Sequence, residues 1–429
     1  MREEWSKIGF ILASIGSAIG LGNIWRFSYI VGQSGGGAFL IPYFIAILFF
    51  GIPLMMVELA TGRKFKGSII TSLEKINQKI KYLGAIPIII NIVILSYYLV
   101  ITGWTFAYFI FSIIGYLPFE VFTKTLYPLF FFIGVMIVTA IIVSLGIKKG
   151  IEKLCNYLLP LLFIFIIILL FKALSLPNAI DGIKFYLTPD LNALSNPYIW
   201  ILAFGQVFFS LSAGFGIMLT YGSYLNDKEK IPQSAFMIAG ADTLIAVLAG
   251  FIIFPIVFSF GFNPAAGPEL AFVTLPTIFS NMEFGNIFGM IFFLLLFIAA
   301  ITSAVSMLEP SVTVLIDEFK LSRKKAVVLL SLLTIALGTP SALSYTDIGI
   351  TIDGKPFLDM VDLLFGSLLT PLAAVILCIS IGWFWQPEIM LGEINKNSKI
   401  KIPYGIVYLV RYVIPMVLII TFILKLMHQ

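Results

Sequence analysis

The chain has 429 residues, 60% hydrophobic and 11% charged, with a mean hydropathy of +1.05. This composition excludes a soluble globular domain and specifies a polytopic membrane protein. The formal net charge of +5 comes from a bias of lysine and arginine to one set of loops, and gives no reason to expect a nucleic-acid partner.

Apolar runs fall at 9–33, 39–62, 84–117, 125–147, 153–175, 197–225, 232–262, 286–315, 325–342, 357–386 and 404–428. They predict an all-α protein with eleven transmembrane helices, since a bilayer core asks for about 20 apolar residues per crossing. Loops on one side of these runs carry 20 of the 27 Lys and Arg residues, from Arg2 and Lys7 through Arg63–Lys81, Lys148–Lys153, Lys228, Lys230 and Lys320–Lys325 to Lys396–Lys401. By the positive-inside rule the N-terminus is cytoplasmic and, after eleven crossings, the C-terminus is extracellular, in a multi-pass plasma-membrane protein. The first run is too polar at its centre for a cleavable signal peptide.

That first run gathers Gly16, Gly20, Gly22, Asn23 and Arg26. A mid-helix glycine costs roughly 1 kcal/mol relative to alanine, and a central arginine costs at least about 2.5 kcal/mol. Both are tolerable where a helix is interrupted and its freed backbone lines a polar cavity inside the protein. The run is therefore predicted to be two half-helices meeting at residues 18–23. A single kinked helix with glycines packed on neighbours is the alternative.

The sixth run breaks the same rules at Ser210, Leu211, Ser212, Ala213, Gly214, Phe215 and Gly216. Matching interruptions in two halves point to a transporter built from repeats, with its site at the bilayer midplane. Five crossings per unit make the second unit enter from the opposite side, so the 5+5 repeat is inverted. Residues 1–175 are the first repeat and 176–386 the second. Residues 387–429 form a cytoplasmic loop and an extra helix 11, peripheral at a homodimer contact or in lipid, with Arg411 snorkelling to the surface. Cys155 and Cys378 read as small core residues. His428, the only histidine, lies at the C-terminus and supports no histidine-based active site.

Longer motifs sharpen this. The stretches GSAIGLGNIWRF at 16–27, GGGAFLIPY at 35–43, GIPLMMVELATGR at 51–63, SYYLVITGW at 96–104, GQVFFSLSAGFG at 205–216 and LSRKKAV at 321–327 resemble the neurotransmitter:sodium symporters, transporters of amino acids with the leucine-transporter fold. The similarity runs over essentially the whole chain and implies sodium-coupled uptake of an amino acid by alternating access.

The resemblance implies a substrate carboxylate held by backbone at Leu21 and Gly22 and by the Tyr98 hydroxyl, and an ammonium held by carbonyls of Ala18 and near Phe209 and Ser212. Such an arrangement suits a zwitterion, because interrupted helices expose N–H groups at one end and carbonyls at the other. Ile94, Phe209, Phe215, Ser303 and Met307 would receive the side chain, which favours a hydrophobic amino acid. One sodium site would use Ala18, Asn23, Ser210 and Asp242, and a second Gly16, Ile19, Ala299, Thr302 and Ser303, as hard cations select oxygen ligands. An outer gate would combine Arg26, Gln206 and Asp362, an inner gate Arg2, Trp5, Ser223, Tyr224 and Asp317. Glu58 takes a structural role, accepting from backbone N–H groups of both breaks.

The chain also departs from the family. Asp242 stands where asparagine is common, and its carboxylate would supply the negative charge for which other members use chloride, so two sodium ions and no chloride are expected. Ser28 replaces a usual proline, Ser210 a usual threonine, and a twelfth span is missing. Glu309 acquires no firm role. Proton coupling through Asp242 or Glu309 is the alternative coupling mode. A channel would need charge rings or filter carbonyls, and an enzyme a motif such as HExxH; neither is present, so no catalytic residues are expected.

Overall fold

The computed structural model describes residues 3–265 and 270–427. Among them nine continuous helices are long and apolar enough to cross a bilayer, and a bent pair makes a tenth. The pair is α1 (Lys7–Ala18) and α2 (Gly22–Gln33), meeting at 49°. The continuous helices are α3 (Gly37–Phe65), α4 (Gln78–Ile114), α5 (Tyr127–Ser144), α6 (Ile147–Leu174), α9 (Ile231–Ser259), α10 (Gly285–Phe319), α11 (Arg323–Leu343), α12 (Phe357–Phe384) and α13 (Gly405–Met427). Between α6 and α9 the sixth apolar run forms two short helices, α7 (Pro197–Ser210) and α8 (Ile217–Ser223). Neither is long enough to cross alone.

Local chemistry sets these boundaries. Ser6 caps α1 by accepting from the Gly9 N–H, and Asn196 caps α7 by accepting from Tyr198 N–H. Such caps satisfy donors that a helix start leaves orphaned. Pro128 and Pro232 sit in the first turns of α5 and α9, where a missing N–H costs nothing. The one described β-hairpin pairs Thr351–Ile352 with Lys355–Pro356 across Asp353 and Gly354, both at positive φ, as a tight hairpin turn requires.

α10 is the central post, with 78% of its apolar window buried, against 28% for α6 at the lipid-facing rim. It packs along α4, and α1 lies against α10, α9 and α6. α3 and α8 approach backbone to backbone: a Cβ on Gly62 would meet the Leu219 carbonyl oxygen at 1.9 Å, and one on Gly222 the Leu59 carbonyl oxygen at 2.5 Å. Arg411 does not simply snorkel. Its Nε donates to the Gly382 carbonyl, one of the four that the end of α12 leaves without an intrahelical partner, and Trp383 Nε1 returns a bond to the Arg411 carbonyl at 2.8 Å.

Candidate substrate and ion site

Both predicted interruptions are present. α1 ends at Ala18 and Ile19 turns to extended backbone with φ −75° and ψ 105°. After Ser210 the chain leaves helical geometry until Ile217, with Ser212, Gly214 and Gly216 at φ 52°, 93° and 75°. Two glycines in three residues let the chain reverse through left-handed conformations that side chains with a Cβ resist.

The two breaks face one chamber lined by Ser17, Ala18, Gly20, Gly22, Ile94, Tyr98, Phe209, Ser210, Ser212, Phe215, Ile217, Ser303 and Met307. Its space, openings included, is about 390 Å³. Of the ten residues expected around a substrate, nine line it. Leu21 instead lines the cavity beyond, while its N–H donates to the Tyr98 hydroxyl at 3.3 Å. That hydroxyl therefore keeps its own proton for another acceptor.

Asn23, Ser210 and Asp242 form one buried cluster. Asn23 Nδ2 lies 2.6 Å from Asp242 Oδ1 and 3.0 Å from Ser210 Oγ, and Ser210 Oγ donates to Asp242 Oδ1 at 2.7 Å. Asp242 Oδ2 is buried without a hydrogen-bond partner. An unmatched carboxylate oxygen in a dry interior is costly, and a cation offsets it. Asn23 Oδ1 accepts from the Gly20 N–H at 3.0 Å, so the amide also braces the first break.

A second oxygen-rich spot lies where α10 crosses the end of α1. Ser303 Oγ sits 3.4, 3.2 and 3.2 Å from the carbonyl oxygens of Gly16, Ser17 and Ile19, and Thr302 Oγ1 is 3.1 Å from that of Ala299. The Ser17 carbonyl also accepts from Ser212 Oγ at 2.9 Å, so the one Ser303 proton is left to serve the carbonyls of both Gly16 and Ile19, and an acceptor remains in excess.

Glu58 accepts from the N–H groups of Gly214 and, at 3.3 Å, Leu219. Both bonds go to the second break; the sequence reading had given it to both breaks. Asn23 serves the first break locally, its Oδ1 accepting from the Gly20 N–H. Ser28 returns its hydroxyl to the Ile24 carbonyl at 2.8 Å next to a wide turn at Gly22–Arg26 with i→i+5 bonding, which a proline could not join.

Arg26, Asp362, Tyr29, Trp25, Tyr97 and Leu358 surround a further cavity of about 580 Å³, which Gly22, Tyr98 and Phe209 separate from the chamber. The Arg26 guanidinium stands 4.7 Å over the Phe209 ring and its Nη1 is 3.4 Å from Gln206 Oε1. Gln206 Nε2 donates to the Gly22 carbonyl at 2.7 Å. Arg26 and Asp362 line the same cavity without an ion pair.

The sodium:neurotransmitter symporter family matches residues 2–129 and 129–429. The chain belongs to that family. An uncharacterised sodium-dependent transporter of Methanocaldococcus jannaschii is 39% identical, covering 97% of this chain and 89% of its own length, and one of Haemophilus influenzae is 36% identical with 98% of each covered. The crystal structure of MhsT in complex with L-phenylalanine superposes with a TM-score of 0.90 at 39% identity, covering 99% of both chains. The symporter is thus a multi-pass membrane transporter and not an enzyme.

On the N-terminal face of the symporter, Trp5 is buried; its Nε1 donates to the Tyr221 carbonyl at 3.1 Å and its ring packs 5.1 Å from Tyr221 and 6.2 Å, edge-on, from Tyr224. Asp317 Oδ2 accepts from the Ser68 N–H at 2.6 Å, and Ser223 Oγ donates to the Thr220 carbonyl. Arg2 lies outside the described residues.

Sequence reasoning singled out Glu309 as a candidate proton carrier without a firm role, and did not find its partners. Its buried carboxylate accepts from the Tyr224 hydroxyl at 2.7 Å and from Arg323 Nη1 at 3.0 Å, with a second contact from Nη2. A carboxylate in an apolar run with an arginine just past the helix end was the available signal. Arg63 was missed likewise. Fully buried, its Nε pairs with Glu393 Oε1 at 2.6 Å and its Nη1 donates to the Glu229 carbonyl at 2.6 Å.

Proposed function

We propose that this transporter is a sodium-coupled symporter of a hydrophobic amino acid. The unpartnered Asp242 Oδ2 beside Asn23 and Ser210, at a chamber formed by two helix breaks, carries the reading. Breaks that present N–H groups and carbonyls suit a zwitterion. Leu21, Gly22 and Tyr98 take its carboxylate, and carbonyls of Ala18, Phe209 and Ser212 its ammonium. The walls of Ile94, Phe209, Phe215, Ile217 and Met307 favour an aliphatic or aromatic side chain, and MhsT's phenylalanine complex supports that.

One sodium ion joins Ala18, Asn23, Ser210 and Asp242; the other joins Gly16, Ile19, Ala299, Thr302 and Ser303. Asp242 makes transport chloride-independent. Counting α1 with α2, and α7 with α8, as one crossing each gives eleven, read as inverted repeats over residues 1–175 and 176–386 with a peripheral helix after 387. The Lys and Arg bias puts the N-terminal face in the cytoplasm. The Trp5 face is then the inner barrier, with Arg2, Ser223, Tyr224 and Asp317, and the Arg26–Gln206–Asp362 face the outer.

The test is thermal-shift binding of the twenty amino acids to purified protein in sodium or choline chloride. Stabilisation by apolar amino acids only in sodium, lost in Asp242→Ala and unchanged when gluconate replaces chloride, is expected. Equal stabilisation in choline overturns the coupling. One observation favours a second reading: a proton on the unpartnered Asp242 oxygen would neutralise it as a cation does. Uptake driven by a pH gradient without sodium would establish proton coupling instead.

A further inference from the structure

On the N-terminal face, α1 and the start of α9 enclose a cavity of about 1310 Å³, open to the surface. Lys7, Lys228 and Lys230 line it together with Ile8, Ile11, Leu12 and Met237. Lys7 occupies the first turn of α1 and Lys230 caps α9, so the positive ends of two helix dipoles meet there as well.

The charges around this cavity are unbalanced. Among the described residues, none of the three ammonium groups has an acidic partner within ion-pair distance. The acids nearby are committed elsewhere. Asp227 pairs with Lys396 at 2.8 Å, which holds its carboxyl below the usual range, and Glu229 Oε1 accepts from Ser234 Oγ at 2.7 Å. Glu229 is the one carboxylate on the wall, against three lysines.

The apolar part of the wall is unbalanced in the same direction. Ile8 is 71% exposed and Met237 57%, one on α1 and the other two turns into α9. Cations above and bare aliphatic side chains below suit an anion that carries its own hydrocarbon. A soluble anion would engage only the cationic part of this wall and leave the aliphatic part unused.

We propose that this cleft binds one anionic phospholipid, its phosphate among Lys7, Lys228 and Lys230 and its acyl chains along Ile8, Ile11 and Met237. The proposal rests on the cytoplasmic placement of the N-terminal face, where anionic lipids draw basic segments. It also has a mechanical consequence. Lys7 rides on α1 while Lys228 and Lys230 belong to the approach to α9, so a headgroup held by both ties α1 down and favours the inner-closed state.

Native mass spectrometry of the purified full chain, titrated with phosphatidylglycerol, phosphatidylcholine or inorganic phosphate, tests it. We expect preferential retention of one phosphatidylglycerol, about five-fold weaker for each Lys→Gln change at these positions, given about 1 kcal/mol per lysine near a membrane surface. Arginine at all three positions should preserve the preference, which separates charge from folding. A triple glutamine variant that keeps the preference, equal retention of phosphatidylcholine, or displacement by inorganic phosphate each overturns the proposal. Sodium-dependent amino-acid binding on the same samples is a separate readout, so failure of the lipid site and of the transport function are distinguishable.

Discussion

On the orientation we propose, the outer barrier is a thin layer at Gly22, Tyr98 and Phe209, and the inner barrier is a stack of helices around Trp5. Outside, Gly22, Tyr98 and Phe209 border both the chamber and the outer cavity; above them Arg26 reaches Gln206 at 3.4 Å and lies over the Phe209 ring, and Gln206 donates to the Gly22 carbonyl at 2.7 Å. Inside, Trp5 is wedged against Tyr221 and Tyr224, Tyr224 is tied to Glu309 and Arg323, and α3 touches α8 through bare backbone. We propose that side-chain movement joins the chamber to the Arg26 cavity, whereas opening past Trp5 parts packed helices, which would put the larger energetic step of each cycle on the Trp5 side.

The native thiol Cys155 reports on that decision. It is buried against α6's neighbour α1, with its Sγ 3.2 Å from where a Gly16 Cβ would lie, so we expect it to gain reactivity if α1 moves away. Cys378→Ala removes the other free thiol.

The largest effect is expected from Glu309→Ala. It takes the carboxylate partner from Arg323, which keeps the Val143 carbonyl, and leaves the Tyr224 hydroxyl with Thr313 Oγ1 at 3.0 Å; removing one partner of a buried pair costs about 3 kcal/mol. Cys155 should label over roughly 100-fold faster in maleimide kinetics if the cost falls on the inner-closed state. Unchanged labelling with only a lower melting temperature would place Glu309 in general stability and erase the asymmetry. Gly62→Ala comes next. Its Cβ meets backbone, which cannot rotate aside, and overpacking of roughly 2 kcal/mol predicts about thirty-fold faster labelling. A variant with wild-type labelling kinetics would mean that α3 and α8 stay together in every state.

These two predictions fall on residues of unequal legibility. The glycine-rich motifs pointed to both breaks, because Gly16, Gly20, Gly22, Asn23 and Arg26 make no sense in a lipid-facing helix, and Gly214 and Gly216 at positive φ repeat the signal. The inner network was not legible. Glu309 meets Tyr224 from 85 residues away, and Arg63 meets Glu393 across 330; each looks like an isolated charge in its own run until the helices are assembled. Arg411 failed for a related reason. Its carbonyl partner at Gly382 belongs to a different helix end, and hydropathy sees only distance to the surface. Ile217 was passed over because the sequence shows where a helix breaks better than which side chain its restart turns inward.

Phe209→Ala probes the outer side. It removes the ring that borders both cavities without touching the inner stack. Substrate affinity should fall about ten-fold, in line with the loss of roughly 1.5 kcal/mol of apolar contact, while Cys155 labelling stays at the wild-type rate. Faster labelling would show that the thin outer layer and the inner stack are mechanically coupled in this state.

Asp362→Asn should do least. Arg26 and Asp362 share the outer cavity without pairing, and exposed ion pairs contribute only about 0–1 kcal/mol even when formed. Equilibrium substrate binding in sodium should therefore change by no more than about five-fold. A loss beyond about ten-fold would mean that the substrate-bound state draws Arg26 and the carboxylate together over Phe209. The outer barrier would then be a formed ion pair for part of the cycle, and the contrast with the inner stack would be one of timing instead of thickness.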